Sequence, residues 1–283
     1  MRYHRKHMER RTFLAAGAAA SLLQGAMKKP VGLELYSVRE EFAKDMAGTL
    51  KAVAKMGYEG VEFFGPYADW KPEQARDARK MLDDLGMKCF STHNGAKYFT
   101  PEQIDRVIAL NVTLGSRFVI MSSAGKVEGI DGWKGVAAKL NMAQEKLKPL
   151  KKSTGFHNHA SEFKPIGDKK PMEVLAKETT KDVVLQLDVG TCLEAGTDPV
   201  AWINANPGRI KSVHMKDWKS GLKNPHDGYR VLLGEGSADW KSIVAACIKT
   251  GGVEHLLVEQ EGSDFPAIET AEKCLVNFKK LVS

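Results

Sequence analysis

Two histidines separated by one residue, His157-Asn158-His159, stand just before Glu162 in the stretch TGFHNHASEF. Side chains of these types can ligate a metal, relay a proton, or form a polar patch at a strand end. Residues two apart on a strand point to the same side, so His157 and His159 can face one site. Farther along, Asp188, His214 and Glu259 each fall near the end of a short β-type run, in LQLDV, SVHMK and LLVEQ. Any one of them alone has an ordinary explanation. A strand histidine is often satisfied in the core, an aspartate can bind loop amides, and a glutamate can pair with Arg or Lys. Their placement on successive strand ends makes them a set. Carboxylate oxygens plus an imidazole suit Mn2+, Co2+, Zn2+ or Fe2+ better than Ca2+, which takes more oxygens.

The elements that position this set can be read from periodicity. Eight β-type runs occur, VGLELYS (31–37), GVEFF (60–64), MKCFSTH (87–93), SRFVIMS (116–122), STGFHNH (153–159), DVVLQLDV (182–189), RIKSVHMK (209–216) and HLLVEQ (255–260). Between them lie stretches with apolar residues at three- and four-residue spacing, over 45–57, 72–86, 101–115, 133–150, 171–178, 198–205, 239–250 and 264–281. Pro72 and Pro101 open two of these, and Gly86 and Gly115 close them, as helix termini favour. Eight strand–helix repeats without an internal boundary predict a single-domain (β/α)8 TIM barrel over 27–283. The Gly-, Lys- and Asn-rich region 217–237 is the longest expected loop.

A barrel of this kind gathers its chemistry at the C-terminal strand ends. There Glu62, His93 and Arg39 are candidate hydroxyl-binding groups, and Tyr36, Phe64 and Trp218 can offer apolar faces to a sugar ring. Lys216 lies two residues beyond His214 on the same side of its strand, placed either to stabilise an oxyanion or donate a proton, or to pair at the surface with Glu235 or Asp217. The sequence shows no glycine-rich phosphate cradle. Gly234-Glu235-Gly236-Ser237 precedes a helix, but Glu235 would repel a phosphate.

Taken in order, GVEFF, HNH, LQLDVG, SVHMKD and LLVEQ resemble the xylose-isomerase-like barrel superfamily of sugar isomerases and epimerases, from Val31 to essentially the C-terminus. The resemblance implies one divalent metal ion held by a Glu on strand five and by Asp188, His214 and Glu259 on the next three. Strand five departs from that pattern, because many relatives carry Glu-Asn-His where this chain has His157-Asn158-His159. Either His157 binds the ion as a neutral imidazole, or Glu162 folds back from the loop to restore the carboxylate. Three carboxylates and one histidine would keep the site anionic enough for a labile divalent ion, so Glu162 is the expected fourth ligand, with both histidines free for proton transfer. Apurinic-site endonucleases of the superfamily build a three-zinc cluster and read Asp-x-x-His at strand six. Here Asp188-Val189-Gly190-Thr191 lacks that histidine, which argues against a multinuclear site and against DNA repair.

A divalent ion that polarises a keto-sugar makes the neighbouring C–H acidic, and histidine has an ordinary pKa suited to taking and returning that proton. His157, His159, Glu259 and Lys216 are the expected catalytic groups. Return of the proton gives an epimer or an isomer. Loss of a β-substituent gives a dehydratase or lyase acting on an inosose or 3-keto-glycoside, an outcome the resemblance raises because inosose dehydratases also carry His-x-His on strand five. The expected partner is a small, non-phosphorylated carbohydrate. The reading from another class is a carbohydrate-binding barrel without catalysis, and a homo-oligomer is left open.

The N-terminus is read separately. Glu9-Arg10-Arg11-Thr12-Phe13-Leu14 followed by AAGAAASLLQGAM looks like a twin-arginine export signal over 1–26, with an apolar stretch too short to span a bilayer. Residues 1–26 hold five basic side chains and one acidic one, leaving +3 of the total +7 on the rest of the chain. That weak charge, with no Lys/Arg run, excludes a nucleic-acid footprint, and stable membrane insertion is not expected. Cys89, Cys192, Cys247 and Cys274 form no CxxC pair and read as buried thiols. The expected location is periplasmic or secreted. Replacing Arg10 and Arg11 together by Lys is expected to hold the protein in the cytoplasm, which fractionation of expressing cells would check; unchanged periplasmic delivery would remove the signal reading.

Overall fold

The computed structural model describes residues 29–282. The expected signal over 1–26 lies outside the described residues. Eight parallel strands close into one barrel in chain order. They are β1 (Val31–Glu34), β2 (Gly60–Phe63), β3 (Lys88–Gly95), β4 (Phe118–Ser123), β5 (Ser153–His157), β6 (Val184–Asp188), β7 (Ser212–Met215) and β8 (His255–Val258). Between and after them run α1 (Arg39–Lys44), α2 (Met46–Met56), α3 (Pro72–Asp84), α4 (Ile104–Leu114), α5 (Gly129–Leu147), α6 (Ala160–Phe163), α7 (Pro171–Glu178), α8 (Val189–Glu194), α9 (Pro199–Ala205), α10 (Trp240–Ala246) and α11 (Ala267–Val282). The expected (β/α)8 barrel is therefore the fold.

Strand alternation sorts the side chains into two populations. Leu33, Val61, Val119, Phe156, Leu185, Leu187, Val213, Leu256 and Val258 join the large core between barrel and helices. Phe118, Ile120 and Val184 form a separate cluster inside the barrel. At the N-terminal end of the interior, the His255 ring stacks on Phe90 at 4.8 Å and lies 5.3 Å from Phe118. Phe90 reaches this position through a bulge, because pairing jumps from Val61–Cys89 to Glu62–Ser91 and leaves it as the extra residue. Gly60 makes the room, since a Cβ there would stand 2.6 Å from the Phe90 ring. The apolar plug closes one end of the barrel, and polar side chains occupy the other.

Several boundaries differ from the sequence reading for local reasons. β1 ends at Glu34, and Leu35–Val38 turns as a 3-10 helix. β5 ends at His157, so His159 lies past the strand at the start of α6. The region 217–237 is organised rather than open. The Asp217 carboxylate accepts from the Trp218, Gly234, Gly236 and Ala238 amides and from Trp240 Nε1, at 2.8–3.3 Å. All four cysteines are buried free thiols. Among the described residues no helix is long and apolar enough to cross a membrane.

Burial among aromatic rings lowers the pKa of His255 from 6.5 to about 4. Between these values the unfolded chain binds a proton here that the folded chain refuses, so stability rises with pH across that window. Acidifying the metal-free protein through the window is expected to cost on the order of 3 kcal/mol at this residue. Urea titrations at several pH values would measure it. His255→Phe should flatten that part of the profile, and an unaltered slope would show that the plug does not carry the effect.

Candidate active site and metal centre

Four donors from successive strands meet at the C-terminal mouth. Ligand atoms of His157, Asp188, His214 and Glu259 all lie within 4.8 Å of one another, and all four residues are buried. Local sequence explains the aim of each. Asp188 is both the last residue of β6 and the N-cap of α8, so its Oδ1 accepts from the Thr191 amide at 2.9 Å. Its Oδ2 has no hydrogen-bond partner and stands 3.8 Å from His157 Nε2. A buried carboxylate oxygen without a donor beside an imidazole nitrogen fits a cation between them, which is the observation of this structure that matches a metal to the site.

The histidines are oriented by hydrogen bonds on their far nitrogens. The Gln186 amide oxygen lies 3.1 Å from His157 Nδ1 and 2.8 Å from His93 Nε2, while its nitrogen donates to Glu62 Oε1 and Ser212 Oγ, both at 2.9 Å. As an acceptor, that oxygen assigns the proton of each ring to the nitrogen facing it. His157 Nε2 is then left with its lone pair toward Asp188. His214 Nε2 lies 2.6 Å from Glu62 Oε2, and its Nδ1 contacts Glu259. Glu259 also pairs with Lys216 Nζ at 3.3 Å, and that ammonium contacts Glu261 and lies 3.7 Å from Asp188.

These neighbours set the charges in the metal-free site. Burial alone would lower His214, but Glu62 and Glu259 on either side raise it well above the usual imidazole range. Burial, then the nearby His214 and His93 rings, pushes His157 well below it, which keeps His157 neutral as a ligand must be. Burial opposes the charge on Glu259, yet Lys216 and His214 hold it well below the usual carboxylate range. Burial raises Asp188 in spite of Lys216.

A cavity of about 830 Å³ opens above these groups. His157 and Glu259 reach its wall with His93, His159 and Glu162, and Tyr36, Phe64 and Pro66 supply an apolar side. The Tyr36 and Phe64 rings meet edge to face at 5.6 Å. The His159 side chain is 49% exposed and its ring lies 5.1 Å from that of His157.

Several expected residues are placed differently. Glu162 stands apart from the grouped ligands. It accepts from the His159 amide at 2.7 Å and from Ser161 Oγ at 3.0 Å, so its carboxylate serves the start of α6, and His157 is the residue grouped with Asp188, His214 and Glu259. Because His157 is turned toward Asp188, His159 is the one of the pair that stands above the cluster, half-exposed and with its Nδ1 3.8 Å from Glu162 Oε2. Glu62 is fully buried and orients His214 and Gln186 from below rather than lining the cavity. Arg39 turns away, with its guanidinium over the Tyr36 ring at 4.4 Å and donating to the Tyr36 carbonyl. Trp218 donates to the Pro225 carbonyl in the loop. Lys216 points inward to Glu259 and Glu261, not to Glu235 or Asp217.

The sequence reading passed over Glu34, Gln186 and Glu261. The first two carried a signal, since Gln186 lies two residues before Asp188 on the same side of β6, and Glu34 ends β1 in register with Glu62. Metal content separates the two candidates for the fourth ligand. His157→Ala is expected to lose most bound metal and Glu162→Ala to retain it, while Gln186→Leu should weaken binding about 10–100-fold. Elemental analysis after dialysis would check this, and metal lost from Glu162→Ala but kept by His157→Ala would reverse the assignment.

The fold agrees with that of the proteins found by comparison. The chain is similar in structure to a sugar phosphate isomerase/epimerase from Parabacteroides distasonis ATCC 8503, with 26% identity and a TM-score of 0.76 over 90% of this chain and 96% of that one. A probable 3-DHS dehydratase from Bacillus anthracis superposes with a TM-score of 0.69 at 16% identity, covering 90% of this chain and 99% of that one. A D-psicose 3-epimerase does so at 0.68 and 12% identity, over 89% and 99%. These last two share the fold alone. No curated protein matches the chain significantly. A family profile described as xylose isomerase-like TIM barrel matches residues 50–277, and the chain belongs to that family.

Proposed function

We propose that this protein is a divalent-metal-dependent isomerase or epimerase that moves a proton beside the carbonyl of a small keto-sugar or related polyol, through an enediolate. The observation that carries the reading is the convergence of His157, Asp188, His214 and Glu259 on one buried point, with an Asp188 oxygen that accepts no hydrogen bond among them. Two imidazoles and two carboxylates suit Mn2+, Co2+, Zn2+ or Fe2+. Such an ion supplies Lewis acidity, drawing electron density toward a carbonyl oxygen and acidifying the adjacent C–H.

The chain's own groups do the rest. His159, beyond the strand end and open to the cavity, takes the proton from carbon, and the electron pair of the broken C–H bond moves toward the carbonyl oxygen. Return of the proton by His159 to the neighbouring carbon on the same face, with the hydroxyl proton passing to the former carbonyl oxygen, gives an isomer. An epimer needs a proton given to the same carbon from the other face by a second group, for which Glu259 on the cavity wall is the candidate. Lys216 holds Glu259 in place and adds positive charge where oxygen becomes negative. Tyr36, Phe64 and Pro66 cover the apolar face of a ring and help to exclude water.

One observation favours a second reading on the same first step. A cavity of about 830 Å³ falls in the upper part of the roughly 300–1,000 Å³ typical of small-molecule sites, and leaves room beyond one sugar ring. A substrate with a leaving group at the β-carbon would then lose it, and the protein would act as a lyase on a 3-keto-glycoside or inosose. Location follows from the export signal proposed for 1–26, which would deliver the folded barrel to the periplasm.

Metal-loaded protein is tested with ketoses, inososes and 3-keto-glycosides in deuterated water. At least one substrate is expected to take up deuterium beside its carbonyl, and the product separates isomer, epimer and elimination. His159→Ala should lower kcat by about 10^2–10^4-fold while keeping its metal. Binding of carbohydrate with no exchange and no product from any class would sink the enzyme reading in favour of the non-catalytic barrel.

A further inference from the structure

Beside the four ligands, β1, β2 and β3 bring together a second group of donors, joined to the first where Glu62 Oε2 lies 2.6 Å from His214 Nε2 and the His93 ring lies 4.6 Å from that of His157. Ligand atoms of Glu34, Glu62 and His93 lie within 4.8 Å of one another, and all three residues are buried. Glu34 is 1% exposed, and neither of its oxygens has a hydrogen-bond partner. Both Glu34 and His93 reach the cavity wall.

The His93 ring repeats the geometry of His157. Gln186 Oε1, 2.8 Å from His93 Nε2, holds the proton on that nitrogen, and so turns the Nδ1 lone pair toward Glu34 Oε1 at 3.9 Å. On the other side the same amide oxygen turns His157 Nε2 toward Asp188 Oδ2 at 3.8 Å. Two ligand bonds of about 2.0–2.2 Å span such a gap with a cation between them. Each pair ends on a buried carboxylate oxygen that accepts no hydrogen bond; the Lys216 ammonium stands 3.7 Å from that of Asp188, whereas no lysine or arginine pairs with Glu34 among the described residues.

Charge points the same way. Two buried carboxylates at one place call for a positive partner. The ammonium of Lys216 is committed to Asp188, Glu259 and Glu261. A His214 ring that holds a cation through Nδ1 is neutral and offers Glu62 only its Nε2–H.

We propose that Glu34, His93 and Glu62 hold a second divalent cation at the β1–β3 side of the mouth, open to the cavity and sharing Gln186 with the first site as its orienting group. This site lies on other strands than the Asp-x-x-His cluster that Thr191 excludes, and it does not depend on which sugar chemistry the protein performs. Next to the first ion, it would ligate a further hydroxyl or carboxylate of the substrate.

The full chain is stripped with chelator, reloaded with Mn2+, desalted and counted by elemental analysis, with electron paramagnetic resonance of the same samples. Wild type is expected to hold two ions per chain and show magnetic coupling between them. Glu34→Gln, which keeps the shape and removes the anion, should hold one ion and lose the coupling, as should His93→Gln. The wild-type count and coupling need no variant, so a misfolded variant leaves the test intact. One ion in wild type that persists in Glu34→Gln and is lost in Asp188→Asn overturns the second site and leaves the first standing, with a proton filling the gap between Glu34 and Glu62. Two ions that persist in both Glu34→Gln and His93→Gln put the second ion elsewhere and overturn the proposal. No ion in any form overturns it together with the metal-dependent function.

Discussion

The side-chain amide of Gln186 joins more of the barrel's interior than any other polar group described above. It touches Glu62 from β2, His93 from β3, His157 from β5 and Ser212 from β7, and has a separate role for each. Its oxygen faces two imidazole rings, and so decides which nitrogen of each is left to bind. Its nitrogen supplies a donor to a carboxylate that has no water to turn to. Inside a low-dielectric barrel an unmade bond of this kind costs about 1–3 kcal/mol, more for a charged partner, so the arrangement is strongly specified once formed. The rest of the mouth is built on that fixed centre.

Charge is balanced around it in layers. Lys216 lies among Asp188, Glu259 and Glu261, and His214 lies between Glu62 and Glu259. Removing any one ionic member would leave its partner buried and uncompensated, which is far more costly than the pair itself is stabilising. The apolar half of the barrel makes this tolerable. Phe90, Phe118 and His255 seal the N-terminal end, and the shell of Leu, Val and Phe side chains between strands and helices carries the hydrophobic stabilisation. The polar mouth is spent on binding and orientation while the plug and the outer layer keep the barrel closed.

Metal-assisted enolisation is shared by isomerases, epimerases and elimination enzymes, so the ligand cluster defines a class of chemistry and not a product. What distinguishes the products is which group stands on which face of the substrate carbon and whether a leaving group fits. The wall of the cavity therefore matters as much as its floor. His159 past the end of β5, with the Tyr36–Phe64 pair on the β1–β2 side, is where this chain's selectivity is expected to lie. The cluster of His157, Asp188, His214 and Glu259 carries two carboxylates in a mouth that also holds Glu34, Glu62 and Glu261.

Periodicity by itself determined the barrel, its eight strands and their order, because a parallel strand buried on both sides and an amphipathic helix leave distinct spacings in sequence. It also determined that Asp188, His214 and Glu259 share a strand-end level, since alternation fixes the side and the run fixes the height. Tertiary structure alone decided which residue stands with those three. Glu162 is close in sequence, but the backbone amide of His159 is closer in space and takes its carboxylate first. Sequence leaves Lys216 either facing the site or pairing at the surface and places Arg39 among the substrate-binding groups; the inward turn of Lys216 is set by Glu259, 43 residues away, and the stacking of Arg39 by Tyr36, three away. Glu34 and Gln186 stayed hidden because their importance comes from hydrogen bonds formed, or left unformed, across the barrel. Such contacts exist only once the sheet closes and brings β1, β2 and β3 opposite β6 and β7.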